Sequence, residues 1–328
     1  MSVIVLALVI VAATGARGGL AVNGAVFVQL DPGSNATGAL QELASVLGPG
    51  GWVSFVVEYG QATVDSTVIS ATRGTLSRAQ LAALVGAARR LGLRTAVKPH
   101  VDLTADPQHW RGQIGANFSA AEWEQWFAEY ESVVLAPLAA AAEEVGADLF
   151  VAGTELSATQ PQEAHWRSAL ARVRSLFGGR LTYGANHGDE GSVGWWDAVD
   201  WIGVDAYYPL GSDGSLPALE AAWRQLAQSV LAPLAAKFSR PILFSEVGYE
   251  ALSGAAATPW HASGTLSPAA QSRCYLALYR ALAGQPWFLG PLWWALSDSP
   301  EDGGALSPGF SFRNKPAAAV VSWQGDYP

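Results

Sequence analysis

Phe150-Val151-Ala152-Gly153-Thr154-Glu155 is an apolar run that ends on a carboxylate, and Ile242-Leu243-Phe244-Ser245-Glu246 repeats the design. Nearly continuous apolar runs of this length read as strands buried on both faces, as in a parallel sheet covered by helices. Working outward, the strand-like runs are Ala25–Leu30, Trp52–Glu58, Arg94–Lys98, Asp148–Thr154, Arg180–Ala185, Trp201–Ala206, Ile242–Val247 and Phe288–Trp294, eight in all. Helical patterns lie between them. Ser77–Leu91 has Ser77 as N-cap and stops before Gly92. Ser119–Val145 opens with the capping box Ser119-x-x-Glu122 and contains Pro137, which should kink or split it. Pro161–Phe177, Pro217–Phe238 and Ser267–Ala283 follow the same logic, while the fifth and sixth runs are joined only by a short candidate helix near Ser192–Ala198. Eight strands alternating with helices predict a (β/α)8 TIM barrel. An open doubly wound sheet competes, but it usually carries G-x-G-x-x-G or a P-loop, and the chain has neither.

Composition supports a large core. Of 328 residues, 50% are hydrophobic and 14% charged, against about 25% charged in ordinary globular chains. Nineteen Lys+Arg oppose 28 Asp+Glu, for a net charge of −9 without a basic cluster, so nucleic acid and anionic membranes are poor partners. Cys274 is the one cysteine; it permits no disulfide within the chain and reads as a small buried hydrophobe. Fourteen Trp predict a surface that grips something planar and partly apolar. Val3–Ala13 is apolar but shorter than the roughly 20 residues that span a bilayer, and Thr14-Gly15-Ala16 follows it. This predicts a secretory signal over residues 1–16, then one catalytic domain over 17–328, secreted, unanchored and monomeric. A first buried strand is the alternative. The sequons Asn35-Ala36-Thr37 and Asn117-Phe118-Ser119 are compatible with secretion.

Barrel enzymes place reacting groups where strands end. Period-two alternation puts Glu155 on the side of Gly153 and Val151, and Glu246 on the side of Phe244 and Ile242, with that side toward the barrel axis. The fourth and seventh strands would then bring the two carboxylates face to face. Such a pair is the equipment for glycoside hydrolysis: one protonates the leaving oxygen, the other attacks the anomeric carbon or activates water against it. Either Glu alone reads as a solvated strand end or an ion-pair partner.

Gly153-Thr154-Glu155-Leu156-Ser157, Phe244-Ser245-Glu246-Val247-Gly248-Tyr249 and Trp201-Ile202-Gly203-Val204-Asp205-Ala206-Tyr207-Tyr208-Pro209 resemble glycoside hydrolase family 113. Lys98-Pro99-His100 and Gly309–Ala317 also fit, so the likeness runs from about Val26 to Ala319. The resemblance implies a clan A retaining barrel with Glu155 as acid/base, Glu246 as nucleophile and endo-β-1,4-mannanase activity on a polysaccharide or oligosaccharide. It implies no cofactor. Many clan members carry Asn before the acid/base to hold the sugar 2-hydroxyl; here, as in family 113, that position is not Asn but Thr154. Retention requires the carboxyls about 5–5.5 Å apart. A clan A β-glycosidase of other specificity and a non-catalytic carbohydrate-binding barrel are the alternatives.

Further strand-end residues are candidate substrate ligands. Tyr207, sharing a face with Asp205, reads either as a phenol that hydrogen-bonds Glu246, which the resemblance also implies, or as a core tyrosine; Asp205 itself reads as ligand or buried structural acid. Lys98 and His100 suit sugar hydroxyls. A metal held by His100 and Asp102 lacks a third ligand. Asn186 and His187 end the fifth strand. Trp293 and Trp294 should point one inward and one toward the helices, the inward ring flooring the reacting sugar. Trp195 and Trp196 would extend the cleft or pack a helix. A Ser hydrolase lacks its G-x-S-x-G, and a chitinase its D-x-x-D-x-D-x-E.

Overall fold

The computed structural model describes residues 20–322, except 32, 33, 35 and 300. The expected signal segment and Asn35 therefore lie outside the described residues. The strands are β1 (Gly24–Val28), β2 (Trp52–Gln61), β3 (Ile69–Ala71), β4 (Arg94–Leu103), β5 (Leu149–Thr154), β6 (Arg180–Asn186), β7 (Ile202–Asp205), β8 (Ile242–Val247) and β9 (Phe288–Ser297). All but β3 pair in parallel in the order β1-β9-β8-β7-β6-β5-β4-β2, and a β1–β2 pairing closes the ring. The fold is a (β/α)8 barrel. β2 and β4 run further than expected, pairing from Trp52↔Arg94 to Gln61↔Leu103, and carry the antiparallel β3. They raise one wall above the strand-end mouth, where His100 lies.

Helices α1 (Thr37–Leu47), α2 (Arg78–Arg90), α3 (Ala120–Glu129), α4 (Ala136–Glu144), α5 (Glu163–Leu176), α6 (Leu216–Leu226), α7 (Ala232–Phe238), α8 (Pro268–Leu282) and α9 (Pro316–Val321) cover the outside. The expected capping box of Ser119 with Glu122 forms, and Ser77, expected as an N-cap, forms one as well with Gln80. Pro137 does not split its helix. A π-turn over Tyr130–Leu135 joins α3 to α4, and a second over Ala227–Leu231 joins α6 to α7 before Pro233. The same hexapeptide, Leu-Ala-Pro-Leu-Ala-Ala, begins at Leu135 and at Leu231. Proline brings no N–H for the carbonyl four residues back, and the wider turn absorbs that missing bond. Between β6 and β7 the expected short helix is two single 3₁₀ turns, Glu190–Ser192 and Trp196–Ala198. Among the described residues no helix is long and apolar enough to cross a membrane.

The barrel interior is small: Val26, Trp52, Val56, Ala96, Leu149, Val151, Leu243 and Leu292 pack together at its base. The layer between barrel and helices is much larger and aromatic. Trp126, Trp166, Trp195, Trp196, Trp223 and Trp293 are fully buried in it. Among the described residues only Trp110 and Trp260 are counted as exposed Trp. The tryptophan abundance thus serves mainly as packing rather than as the expected gripping surface.

Candidate active site

On β4 the alternation is regular. Ala96 lies in the inner layer, and Lys98 and His100 follow it upward on the same face. Lys98 is wholly buried, with Nζ 2.9 Å from Asp205 Oδ1 on β7 and 2.7 Å from Glu246 Oε1 on β8. Ser245 Oγ donates to the same Asp205 oxygen at 2.7 Å. Gly184 on β6 makes room for this cluster, since a Cβ there would fall 2.8 Å from Asp205 Oδ2. Burial alone would push the Lys98 ammonium down, but the Asp205 and Glu246 carboxylates outweigh it and raise it above its ordinary value.

Glu246 does not reach this cluster by alternation. Ile242 and Phe244 point outward, Phe244 onto Trp223 of α6. The pairing with β7 steps from Val204↔Phe244 to Asp205↔Glu246, so β8 holds one extra residue, Ser245. That bulge turns the carboxylate to the axis. There Tyr207 Oη donates to Glu246 Oε2 at 2.9 Å, and His100 Nε2 lies 3.3 Å from Oε1. Burial, then the Arg111 and Lys98 charges, hold His100 well below its ordinary value, so the ring is neutral. Arg111 Nη1 donates to Nδ1 at 3.0 Å, which leaves the ring proton on Nε2, facing Glu246.

Glu155 is re-aimed too. The β5–β6 register shifts between Val151 and Thr154. Val151 is inner, but a Cβ on Gly153 would meet Tyr183 and Trp166 of the outer layer. Glu155 itself takes φ 53°, a left-handed conformation that costs a non-glycine residue about 1–3 kcal/mol. Its N–H donates to Gly184 O at 2.7 Å, and its carbonyl accepts from Ser157 N at 2.9 Å. The side chain keeps 17% of its surface exposed, and Oε2 is 3.7 Å from Arg111 Nη1. Desolvation is the largest influence on this carboxyl. The Asp205 and Glu246 charges add to it, Arg111 and Lys98 oppose it, and the result is pushed up to about 8.

Arg111 was not visible as a site residue in the sequence. It sits in a 3₁₀ turn beyond β4, with Nε and Nη2 both on Asp102 Oδ1 at 2.9 and 2.5 Å. It reaches His100 and Glu155 together, so one chain of contacts runs Glu155–Arg111–His100–Glu246. Asp102, weighed as a metal ligand, instead orients Arg111.

The model of Glycoside Hydrolase Family 113 matches residues 32–306. The chain belongs to glycoside hydrolase family 113. It is 30% identical to the family 113 beta-mannanase AaManA from Alicyclobacillus acidocaldarius, solved in complex with ManMIm, over 94% of this chain and 97% of that one, with TM-score 0.80. A family 113 beta-1,4-mannanase complex, 23% identical, shares the fold with TM-score 0.81 over 93% of this chain and 97% of that one. A family GH5_18 structure from Streptomyces cattleya, 15% identical, aligns over 91% of this chain and 78% of that one at TM-score 0.58. No curated protein matches the chain.

Within the family 113 framework several expected sugar ligands are reassigned. Lys98 and Asp205 have no exposed surface; they bind each other, and Lys98 also binds Glu246. Trp293 is the outward ring: it is buried, stacked on Tyr275 of α8 at 3.6 Å, and its Nε1 donates to Tyr279 Oη. Trp294 is the inward ring, lying parallel to His100 at 5.8 Å. Trp195 and Trp196 are fully buried and donate to Gln160 O and Glu190 O, so they pack the wall and do not extend the cleft. Thr154 is buried, its Oγ1 donating to Pro99 O, and presents almost no surface to a sugar hydroxyl. Asn186 stands on the rim, its amide on His187 O and Asp189 Oδ2.

Proposed function

We propose that this family 113 protein cleaves β-1,4-linked mannan polysaccharides or oligosaccharides by double displacement, with retention at the anomeric carbon. Glu246 is the nucleophile and Glu155 the acid/base. The observation that carries this reading is the contrast between the two carboxyls. Glu246 faces Lys98, Tyr207 Oη and neutral His100, while Glu155 is pushed up to about 8 and still open to solvent. Glu155 therefore keeps its proton at neutral pH and delivers it to the leaving oxygen as the Glu246 carboxylate bonds to the anomeric carbon. Water then replaces the leaving group, gives its proton to Glu155 and hydrolyses the glycosyl ester. Trp294 supplies the apolar floor. Mannan as substrate rests on the activity named for the 30%-identical AaManA. No observation favours the non-catalytic alternative.

The chain is further proposed to be exported as a monomer, with residues 17–328 forming one catalytic domain. Its support is the apolar Val3–Ala13 followed by Thr14-Gly15-Ala16; N-terminal sequencing of secreted protein and light scattering test it. The reaction is tested by following product anomers from β-1,4-mannopentaose by NMR. The β-anomer should appear first and mutarotate afterwards. Initial release of the α-anomer would replace double displacement by inversion, and cleavage of cello- but not manno-oligomers would replace the substrate.

A further inference from the structure

Two tryptophans at the mouth are each backed by a neutral histidine. One is Trp294 on His100. The other is Trp260, in the loop between β8 and α8, whose ring lies on His187 at 5.3 Å and 24°. Trp260 is 51% exposed, and burial lowers His187 from its ordinary value. Tyr208 meets the His187 ring edge-on at 5.5 Å, and Tyr208 in turn packs on Trp223. The loop is pinned beside Tyr208 by Leu210 N donating to Ala256 O at 2.7 Å. The indole is thus held rigidly while one side stays open to water.

Its position is tied to Glu155. Ser157, two residues after Glu155, donates to Asp189 Oδ2. The Asn186 amide shares that oxygen, and His187 follows at once, its N–H on Asp205 O. The His187–Trp260 pair therefore stands on the rim flanking the proton donor, the side from which the leaving sugar departs. A pyranose presents an apolar C–H face that an indole binds, and an uncharged histidine beneath brings no cation requiring an anionic ligand.

Resting on the reading of Glu155 as acid, we propose that Trp260, backed by His187, is a stacking platform for a neutral hexopyranose on the leaving-group side of the scissile bond. The test compares Trp260→Ala and Trp260→Phe with wild type on two substrates: β-1,4-mannopentaose, which fills that side with sugars, and β-mannobiosyl fluoride, whose single-atom leaving group leaves it empty. Trp260→Ala should raise KM for the pentaose about two- to tenfold and leave kcat/KM for the fluoride and Tm unchanged, and Trp260→Phe should recover most of the loss. Equal losses on both substrates, or no change on either, overturn the platform. Hydrolysis by wild type of a different β-1,4-glycan would overturn the mannan reading alone, and the same comparison on that glycan then decides the platform. If wild type hydrolyses neither, mannopentaose affinity by calorimetry decides it, with weaker binding by Trp260→Ala expected and equal binding overturning it.

Discussion

Glu246 and Glu155 are the same amino acid at the ends of two strands of one barrel, and they occupy opposite environments. Glu246 is sealed in, with an ammonium at 2.7 Å and a phenol donor at 2.9 Å. Glu155 has its nearest cation at 3.7 Å and keeps an opening to solvent. The comparison teaches that the division of labour is set by what the rest of the barrel brings to each carboxyl. Lys98 and Asp205 come from strands across or beside β8 and Tyr207 from just past the end of β7, whereas Arg111 reaches Glu155 from a 3₁₀ turn.

The strongest way to break this comparison is to remove each acid in turn. Glu246→Ala should lose about 10⁴-fold or more in kcat/KM on mannan and on activated aryl mannosides alike, because covalent attack is gone for both. Glu155→Ala should lose about 10²–10⁴-fold on mannan and far less on an aryl mannoside whose leaving group needs no proton. Equal losses on the two substrates would erase the distinction.

The adjacent tryptophans extend the same logic to neighbours in sequence. Trp293→Ala removes a buried ring and should cost about 3–5 kcal/mol of stability, measured by denaturant midpoint, with little change in KM of the folded fraction. Trp294→Ala should raise KM about tenfold while the midpoint moves little. The smallest effect is on pH. Because the proposed acid role requires Glu155 to be protonated, kcat/KM should fall above about 8. Its folded value lies above the ordinary 4.5, so its contribution to stability is fully present below about 4.5 and is lost as pH rises to about 8. Against Glu155→Gln, wild-type denaturant midpoints should decline across that window; parallel curves would refute the raised carboxyl.

Much of this was legible in the chain. The run Ile242–Val247 has the ends seen in the structure, and the alternation of Ala96, Lys98 and His100 holds along β4. At β5 and β8 alternation reached the right mouth by the wrong route. A bulge adds a residue that no periodicity reveals, so Gly153, Phe244 and Ile242 face outward while both carboxylates still converge. Arg111 was illegible because a 3₁₀ turn has no hydrophobic period to mark which side faces the site. The tryptophan count misled for a related reason: composition cannot separate rings that pack helices from rings that meet sugar, and burial assigned Trp166, Trp195 and Trp293 to packing.

The shared use of Lys98 has a consequence over the proposed double displacement. At rest one ammonium answers two carboxylates, Asp205 and Glu246. Esterification of Glu246 cancels one of them, and the sealed chamber then holds a single matched pair, so the covalent species resides in an electrically balanced cage. The same bond removes a negative neighbour that helps keep the proton on Glu155. The donor of the first half-reaction becomes a readier acceptor for the second, with no side chain needing to move.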